Sequence, residues 1–487
     1  MAAWPLHPWD EARLAVSAAE MASRGDGIVV RYGGEPDLWS VKPPLMIWLQ
    51  AGAIRLLGYS ALAARLPALL AALGTVAMLY GFAARRLRSP AAGFAACAVL
   101  LTSGGYVQAH VARTGDYDAP VILWQLAQLV AFFAYAETRR ARDWWLFVAA
   151  LILAAMTKGV VGLAPLPAIA AYAALRGLAG PLLRERRVYG GAALFLAIVG
   201  GYYAAHEAAT PGYLQAVWDS ELAGRVARRL NGQGGSWSYY LRQMAGGDFL
   251  PWIFVLPPAA WLALKDEEPV RRRAALLMLL AGGIWLAAVS VAGTKLPWYE
   301  APVYPPFALV AGLGMAAGWT RLRAHPSAAR LPSGAGLAAL ALVFAGPALL
   351  QARRVADERR QGDVYRPYLA YLDALAAKGL RRERFTLLVP ALPELARIPR
   401  SNPRDPDQRY TPAFEFYRIA YASERGLSFD VATTGEIGAI PAGRAIVLCG
   451  EGPAEALAAS GGGDTLDRRG DCRTVRRRPE RSAPSPL

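Results

Sequence analysis

Cysteine, lysine and charged residues are all scarce in this chain of 487 residues. It has only three cysteines, and no Cys/His spacing in it resembles a zinc site. Charged residues make up 18% of the chain and hydrophobic residues 55%, and the mean hydropathy is positive. This balance argues against an ordinary water-soluble multidomain protein and is typical of a protein that lies in a bilayer.

Ten apolar stretches are long enough, or nearly so, to cross a hydrocarbon layer of about 30 Å. They are 62–84, 91–109, 116–137, 143–157, 160–177, 189–206, 249–264, 274–293, 299–319 and 335–352. Stretch 143–157 is short, and the turn that follows it fits either a tight hairpin or a broken helix. The sequence therefore predicts an α-helical polytopic membrane protein with about ten crossings.

Arginine clusters between the apolar stretches account for much of the net charge of +16, and no aromatic-basic module for nucleic acid accompanies them. Each cluster follows a second crossing, as at 85–88 and 139–142. The positive-inside rule places such clusters in the cytoplasm. The opposite, exported face is then periplasmic or extracellular in a bacterium, on the outer side of the inner (plasma) membrane.

Three regions follow from this topology. Residues 1–61 form an exported first loop with juxtamembrane helices, residues 62–352 form the multi-spanning region with an exported loop at 207–248, and residues 353–487 form an exported tail. In the tail, RFTLLVP and RAIVLCG are predicted strands and AEALAAS is a predicted helix. We expect a small C-terminal α/β domain that ends in a disordered segment.

The tail also contains Cys449 and Cys472. Because an exported tail meets an oxidising compartment, a disulfide between them and two free thiols are both open.

Three of the five lysines, Lys42, Lys158 and Lys295, lie in short turns on the exported face, beside proline or glycine. A lysine ammonium is a compact, rotatable donor that suits a phosphate. Snorkelling at the membrane surface explains any one of them equally well. Three on one face favour a common anionic ligand, for which a lipid phosphate is the natural candidate.

Carboxylates occur on the same expected face, with Asp10 and Glu11 in HPWDEARL and Asp116 and Asp118 in HVARTGDYDAPVILW. An acid at a helix N-terminus is often a cap, and we expect capping for Asp116. Asp118, which precedes Ala119-Pro120, also suits a cap.

Histidines on this face are His7, His110 and His206. Their spacing has no ligand pattern, so we predict no metal site, and a divalent metal has no support from the sequence.

Six short motifs follow one another between residues 8 and 320. They are Asp10-Glu11-Ala12-Arg13, Lys42-Pro43-Pro44, Ala64-Arg65-Leu66-Pro67, Arg113 to Asp118, Thr157-Lys158-Gly159 and Gly293 to Tyr299. Their order resembles the polyprenyl-phosphate-dependent glycosyltransferases of the GT-C type, which include bacterial lipid A aminoarabinose transferases and protein O-mannosyltransferases (families 39 and 83). Relatives carry a transmembrane helix before the first motif. Only nine residues precede Asp10 here, so we expect that this first helix is missing.

The resemblance implies a GT-C-like fold and the transfer of a hexose or pentose from polyprenyl (undecaprenyl) phosphate. The acceptor would be lipid A, another envelope glycan or a protein, at the exported face. By resemblance, Asp10 is the catalytic base, and Asp118 is a second catalytic carboxylate that positions the acceptor or supports the oxocarbenium-like charge. The residues implied to hold the donor phosphate are Lys42, Arg225 and Lys295, and those implied to support the site are Glu11, Arg65, Asp116, Lys158 and Tyr299.

Two other hypotheses stay open at this point. A transporter or flippase of lipid-linked sugars also fits many crossings with scattered Gly and Pro, but it predicts an internal repeat and charges deep within crossings. In a third hypothesis the tail is the active part, although it offers no nucleophile elbow, phosphate loop or metal spacing.

Overall fold

The computed structural model describes residues 5–223, 234–325, 333–360, 364–378, 384–390 and 411–478. Within these ranges, six helices are long and apolar enough to cross a membrane. They are Ala61–Arg86, Asp118–Thr138, Ala141–Leu163, Arg186–Ala209, Pro269–Val291 and Ala301–Ala324. The chain is thus a multi-pass helical membrane protein, which confirms the fold class predicted from the sequence.

The predicted count of ten crossings is not confirmed. Two of the predicted segments contain only short apolar helices, Pro90–Leu101 and Leu166–Leu175. A third forms the second half of a pair, Tyr239–Asp248 and Trp252–Leu264, which is bent by 104°. If that pair is one span, the described part of the chain has seven candidate spans. Hydropathy reports that a segment is apolar and does not locate the residue at which its helix ends.

Helices outside the spans lie mainly in the first loop and the tail. Their bounds are Asp10–Arg24, Leu45–Leu57, Gly104–Val107, Ala179–Leu183, Tyr213–Val217, Ser333–Arg360, Tyr365–Ala377, Pro412–Arg425 and Glu451–Ala459. The first helix ends at Gly25, whose left-handed φ of 79° lets its N–H donate to the carbonyl of Met21. Pro44 is the N-cap of Leu45–Leu57, so the prolines of the Lys-Pro-Pro motif mark the start of a juxtamembrane helix.

A two-stranded hairpin, β1 (Arg31–Tyr32) and β2 (Glu35–Pro36), follows the first helix. Arg13 of the helix makes a buried ion pair of 2.8 Å with Asp37, just after the hairpin. This pair fixes the chain that leads from the hairpin to Lys42.

The tail folds as the predicted α/β domain. Its strands are β3 (Phe385–Val389), β4 (Phe429–Thr433), β5 (Ala445–Cys449), β6 (Gly463–Arg469) and β7 (Cys472–Arg477), in the order β4-β3-β5-β7-β6. β3 is parallel to β4 and β5, whereas β7 is antiparallel to β5 and β6. Cys449 and Cys472 are directly opposite in the β5–β7 pair and form a disulfide, which decides between the two open alternatives.

Buried apolar side chains form two large cores. One lies among the membrane helices, and the other is shared by the first loop, the start of Ala61–Gly81 and the tail domain. In the second core, the helix Pro412–Arg425 packs against the helix Asp10–Arg24. The tail domain therefore rests on the segment that carries the first motif.

Candidate active site

Asp10 is the first residue of the helix Asp10–Arg24. The side chain is 56% exposed, and its Oδ2 lies 3.9 Å from Nδ1 of His110. Asp10 is therefore an accessible carboxylate, as a base that meets an external substrate requires.

His110 and Asp116 form a buried pair beside Asp10. Nδ1 of His110 lies 3.0 Å from Oδ2 of Asp116. The imidazole also stacks on the indole of Trp298, with 3.8 Å between ring centroids and 14° between planes. Held between an aromatic face and a carboxylate, the imidazole has a fixed position at the edge of the site.

Burial and the charge of the partner shift the pKa values of His110 and Asp116 in opposite directions. Burial alone lowers the pKa of His110, but the carboxylate of Asp116, 3.0 Å away, outweighs burial and raises the pKa. Burial is the largest influence on Asp116 and raises the pKa of its carboxyl despite the opposing effect of His110. Both groups are thus shifted toward holding a proton.

Asp10, His110 and Asp116, together called the acid pocket below, also form the group of described residues with the geometry of metal ligands. One ligand atom from each lies within 4.8 Å of the other two. Two carboxylates and an imidazole suit a divalent cation. Spacing in the sequence gave no sign of this group because about a hundred residues separate Asp10 from the other two.

Glu11 points away from the acid pocket and is completely buried. Its carboxylate accepts hydrogen bonds from Nε of Arg65 at 2.6 Å, from the N–H of Gly115 at 2.7 Å and from the N–H of His7 at 2.6 Å. Glu11 thus joins the first helix, the helix Ala61–Gly81 and the loop that ends at Asp116. Glu11 and Arg65 thus link the elements that surround the pocket.

Asp118 is likewise engaged by a cation. Its Oδ1 lies 2.6 Å from Nζ of Lys158, and both side chains are buried. The helix Asp118–Thr138 has Tyr117 as its N-cap and no side-chain capping hydrogen bond, so the expectation that Asp116 caps this helix is wrong. Asp116 pairs with His110 because the loop turns its side chain toward the first helix.

A groove of about 260 Å³ lies next to the segment 116–118, since its lining residue Lys158 pairs with Asp118 and its lining residue Lys42 lies over the Tyr117 ring. Its apolar wall includes Val160, Leu163, Phe195, Val199 and Val217, and its polar end is formed by Lys42, Lys158 and Glu221. Nζ of Lys42 lies 3.4 Å from Oε1 of Glu221 and 5.2 Å from the centroid of the Tyr117 ring. Tyr117 separates Asp116 from Asp118 in sequence, so the cationic end of the groove adjoins the carboxylates.

Lys295 and Arg225 are the other implied phosphate ligands, and Tyr299 is one of the implied supporting residues. Nζ of Lys295 donates to the carbonyls of Val289 and Ser290 at 2.7 and 2.6 Å, at the C-terminal end of the helix Pro269–Val291. A cation there satisfies the last carbonyls of a helix. The carbonyl of Tyr299 accepts a hydrogen bond from the indole of Trp285. Arg225 lies outside the described residues.

Sequence reasoning missed the roles of His110, Trp298 and Glu221. His110 stands six residues before Asp116 in the same stretch, which was a usable signal. Nothing in the sequence pointed to Glu221 as the partner of Lys42, because helix packing alone brings residues 42 and 221 together.

Similar proteins occur among family models, among protein sequences and among solved structures. Residues 41–203 match the family model described as dolichyl-phosphate-mannose-protein mannosyltransferase. An uncharacterized protein of Aquifex aeolicus (strain VF5) is 25% identical over 301 residues. That alignment covers 62% of this chain and 58% of the relative, so the chain spans little more than half of that protein.

Solved structures give the overall likeness. ArnT from Cupriavidus metallidurans bound to undecaprenyl phosphate is similar, with a TM-score of 0.66 and 20% identity over 97% of this chain and 94% of that one. The archaeal oligosaccharyltransferase AglB from Archaeoglobus fulgidus gives a TM-score of 0.50 and 13% identity over 79% of this chain and 58% of that one. The resemblance deduced from the motifs is confirmed, and the chain has the fold of the GT-C type, polyprenyl-phosphate-dependent glycosyltransferases.

Proposed function

We propose that this chain is an integral-membrane glycosyltransferase that moves a sugar from a polyprenyl phosphate to a hydroxyl or phosphate of an acceptor. The acceptor classes are lipid A, another envelope glycan or a protein. The observation that supports this most is the arrangement around residues 116–118. An accessible carboxylate, Asp10, lies close to Asp116, and two lysines that line an apolar groove contact Tyr117 and Asp118.

The groove suits a lipid-linked donor. Each CH₂ of a polyprenyl chain gains about 0.8 kcal/mol when it leaves water, so the donor stays in the membrane and the enzyme must bind it there. The apolar wall fits isoprene units, and Lys42 at the polar end fits the phosphate. The match to ArnT with undecaprenyl phosphate supports the same assignment.

The acid pocket acts on the acceptor, and the groove acts on the donor. Asp10 takes the proton of an acceptor hydroxyl, whose oxygen then attacks the anomeric carbon of the donor sugar. The bond between that carbon and the phosphate oxygen breaks, and its electron pair leaves on the polyprenyl phosphate. Lys42 stabilises the negative charge that grows on that oxygen.

Asp118 and Lys158 lie between the acid pocket and the groove and have a positioning role. Their ion pair lies beside the groove, and Lys158 lines its polar end. Because the pair is buried and mutually neutralised, Asp118 holds Lys158 toward the donor phosphate and is not free to act as a second base.

We assign the site to the periplasmic or extracellular face of the inner membrane. The arginine clusters support this orientation through the positive-inside rule. The disulfide between Cys449 and Cys472 supports it independently, since the domain that carries it packs against the first loop and disulfides persist in oxidising compartments.

The test uses purified protein in proteoliposomes, a radiolabelled polyprenyl-phosphate sugar and an envelope extract as the source of acceptor. We expect label in a product other than the donor, and a loss of about 10²–10⁴-fold with Asp10→Asn. Asp26→Asn is the matched control, since Asp26 is a partly exposed aspartate of the same first loop that pairs with Arg31, and it should retain full transfer.

Two results would overturn the proposal in different ways. Full transfer by Asp10→Asn would remove Asp10 as the base. Label that crosses the bilayer while it remains attached to the donor lipid would instead identify a flippase.

A further inference from the structure

The short segment that leads into Asp10 is held by three side chains from separate parts of the chain. Nη2 of Arg65 donates to the carbonyl of Pro5 at 2.8 Å. The N–H of Leu6 donates to the hydroxyl of Tyr417 at 3.0 Å, in a buried environment. The N–H of His7 donates to Glu11 at 2.6 Å. Three consecutive residues are thus fixed just before the proposed base.

Tyr417 differs from the other two because it belongs to the tail domain. It lies on the helix Pro412–Arg425, which packs against the helix Asp10–Arg24, and it is completely buried. The same helix makes a second contact with the membrane side, where Glu424 accepts a hydrogen bond from the N–H of Tyr59. The tail helix therefore touches the chain before Asp10 and the turn before the first span.

A buried backbone N–H without an acceptor is unfavourable, so the Leu6 amide depends on the Tyr417 hydroxyl for its position. Leu6 itself has only 1% of its surface exposed and belongs to the shared core. If the hydroxyl were removed, residues 5–7 would gain freedom while the apolar contacts of the ring remained. The freedom would be transmitted to Asp10, which follows within four residues.

We propose that Tyr417 is a positioning residue of the active site, and that through it the tail domain fixes the chain that carries Asp10. The inference rests on the proposed function, because it assigns Tyr417 a role through the proposed base. It gives the tail a part in catalysis through a contact that holds the segment before Asp10. Reaction geometry is sensitive to displacements of about 1 Å, so a loosened segment lowers the rate of the chemical step.

The chain provides a matched control on the same helix. Tyr421, one turn after Tyr417, is also completely buried, but its hydroxyl donates to the carbonyl of Leu369 and to Asp373 within the tail. Tyr417→Phe and Tyr421→Phe therefore remove the same atom from the same helix, and only the first removes a contact with the segment before Asp10.

The experiment measures hydrogen exchange and kinetics of the full-length variants in detergent or proteoliposomes. In Tyr417→Phe we expect faster hydrogen exchange of the peptide that contains the Leu6 amide. We also expect a roughly tenfold lower kcat and an unchanged KM for the donor. Tyr421→Phe should leave both the exchange of that peptide and kcat near the wild-type values, even if its melting temperature falls. Thermal unfolding of both variants checks that they are folded.

The outcomes separate the two proposals. Unchanged exchange at Leu6 in Tyr417→Phe would overturn the positioning role whatever the activity. An equal loss of kcat in both variants would show a general structural effect and would also overturn it. If Leu6 exchanges faster in Tyr417→Phe but the wild type transfers no sugar, the contact between Tyr417 and the segment before Asp10 is supported. The glycosyltransferase function is then rejected.

Discussion

Neighbouring carboxylates in this protein have opposite environments. Asp10 is accessible, whereas Glu11 beside it is buried against Arg65. Asp116 pairs with the titratable His110, whereas Asp118 two residues later is neutralised by Lys158. The acid pocket thus keeps carboxylates available for chemistry, and the paired carboxylates hold the helices around it. A motif that places two acids side by side supplies one for each purpose.

The largest expected effect comes from breaking a pair. Lys158→Met leaves the buried carboxylate of Asp118 without its cation, which should lower the free energy of unfolding by about 3–5 kcal/mol. The double variant Asp118→Asn/Lys158→Met should recover much of this loss because no charge remains buried. Thermal unfolding in detergent measures both. A single variant as stable as the wild type would show that Lys158 does not neutralise the buried carboxylate of Asp118.

The next effect is a loss of donor binding at the groove. Lys42→Ala should raise KM for the polyprenyl-phosphate sugar about tenfold, equivalent to about 1.4 kcal/mol, because the phosphate loses its cation. Lys265→Ala is the control, since Lys265 lies beside Trp261 on a different loop. Donor kinetics like those of the wild type would refute the role of Lys42.

The acid pocket should show its own pH dependence of stability. An unfolded aspartate loses its proton near its ordinary pKa, whereas burial lets folded Asp116 keep its proton to higher pH. The folded state therefore binds more protons above about pH 4, and this contribution to stability is lost as pH rises. His110, whose pKa is also raised, adds stability below its unfolded pKa that is lost as pH rises through the folded one.

Asp116→Asn removes the contribution of Asp116 to the pH dependence of stability. It also removes the main group that raises the pKa of His110. The free energy of unfolding of the wild type should therefore fall more steeply than that of Asp116→Asn between about pH 4 and 8, by an amount on the order of 1 kcal/mol, and the melting temperature should follow. Asp26→Asn should follow the wild type. Parallel curves for the wild type and Asp116→Asn would show that the pocket does not titrate as a unit.

The smallest effect is expected at Lys295. Because its ammonium binds the last carbonyls of a helix, Lys295→Met should cost about 0.3–1 kcal/mol of stability and leave KM for the donor unchanged. A rise in KM as large as that of Lys42→Ala would restore Lys295 to the phosphate site that the resemblance implies.

Several features of the fold and the site were predictable because they depend on local composition. Long apolar runs determine membrane helices, alternating apolar stretches determine strands such as β3 and β5, and Pro44 determines where a helix begins. The ordered motifs also led to Asp10 and Lys42. The helix ends near residue 102 and the bend before Trp252 were not predictable, because packing against other helices decides them.

The sequence by itself determined that this chain lies in a membrane, which residue types it can offer to a phosphate, and which fold its motifs resemble. Only the tertiary structure decided which charges stay available. Lys42 and Lys295 look alike in sequence, yet Lys42 lines the groove and Lys295 binds the last carbonyls of a helix. A side chain's partners come from helices far away in sequence, as Tyr417 does for Leu6, and an electrostatic environment is a property of that packing.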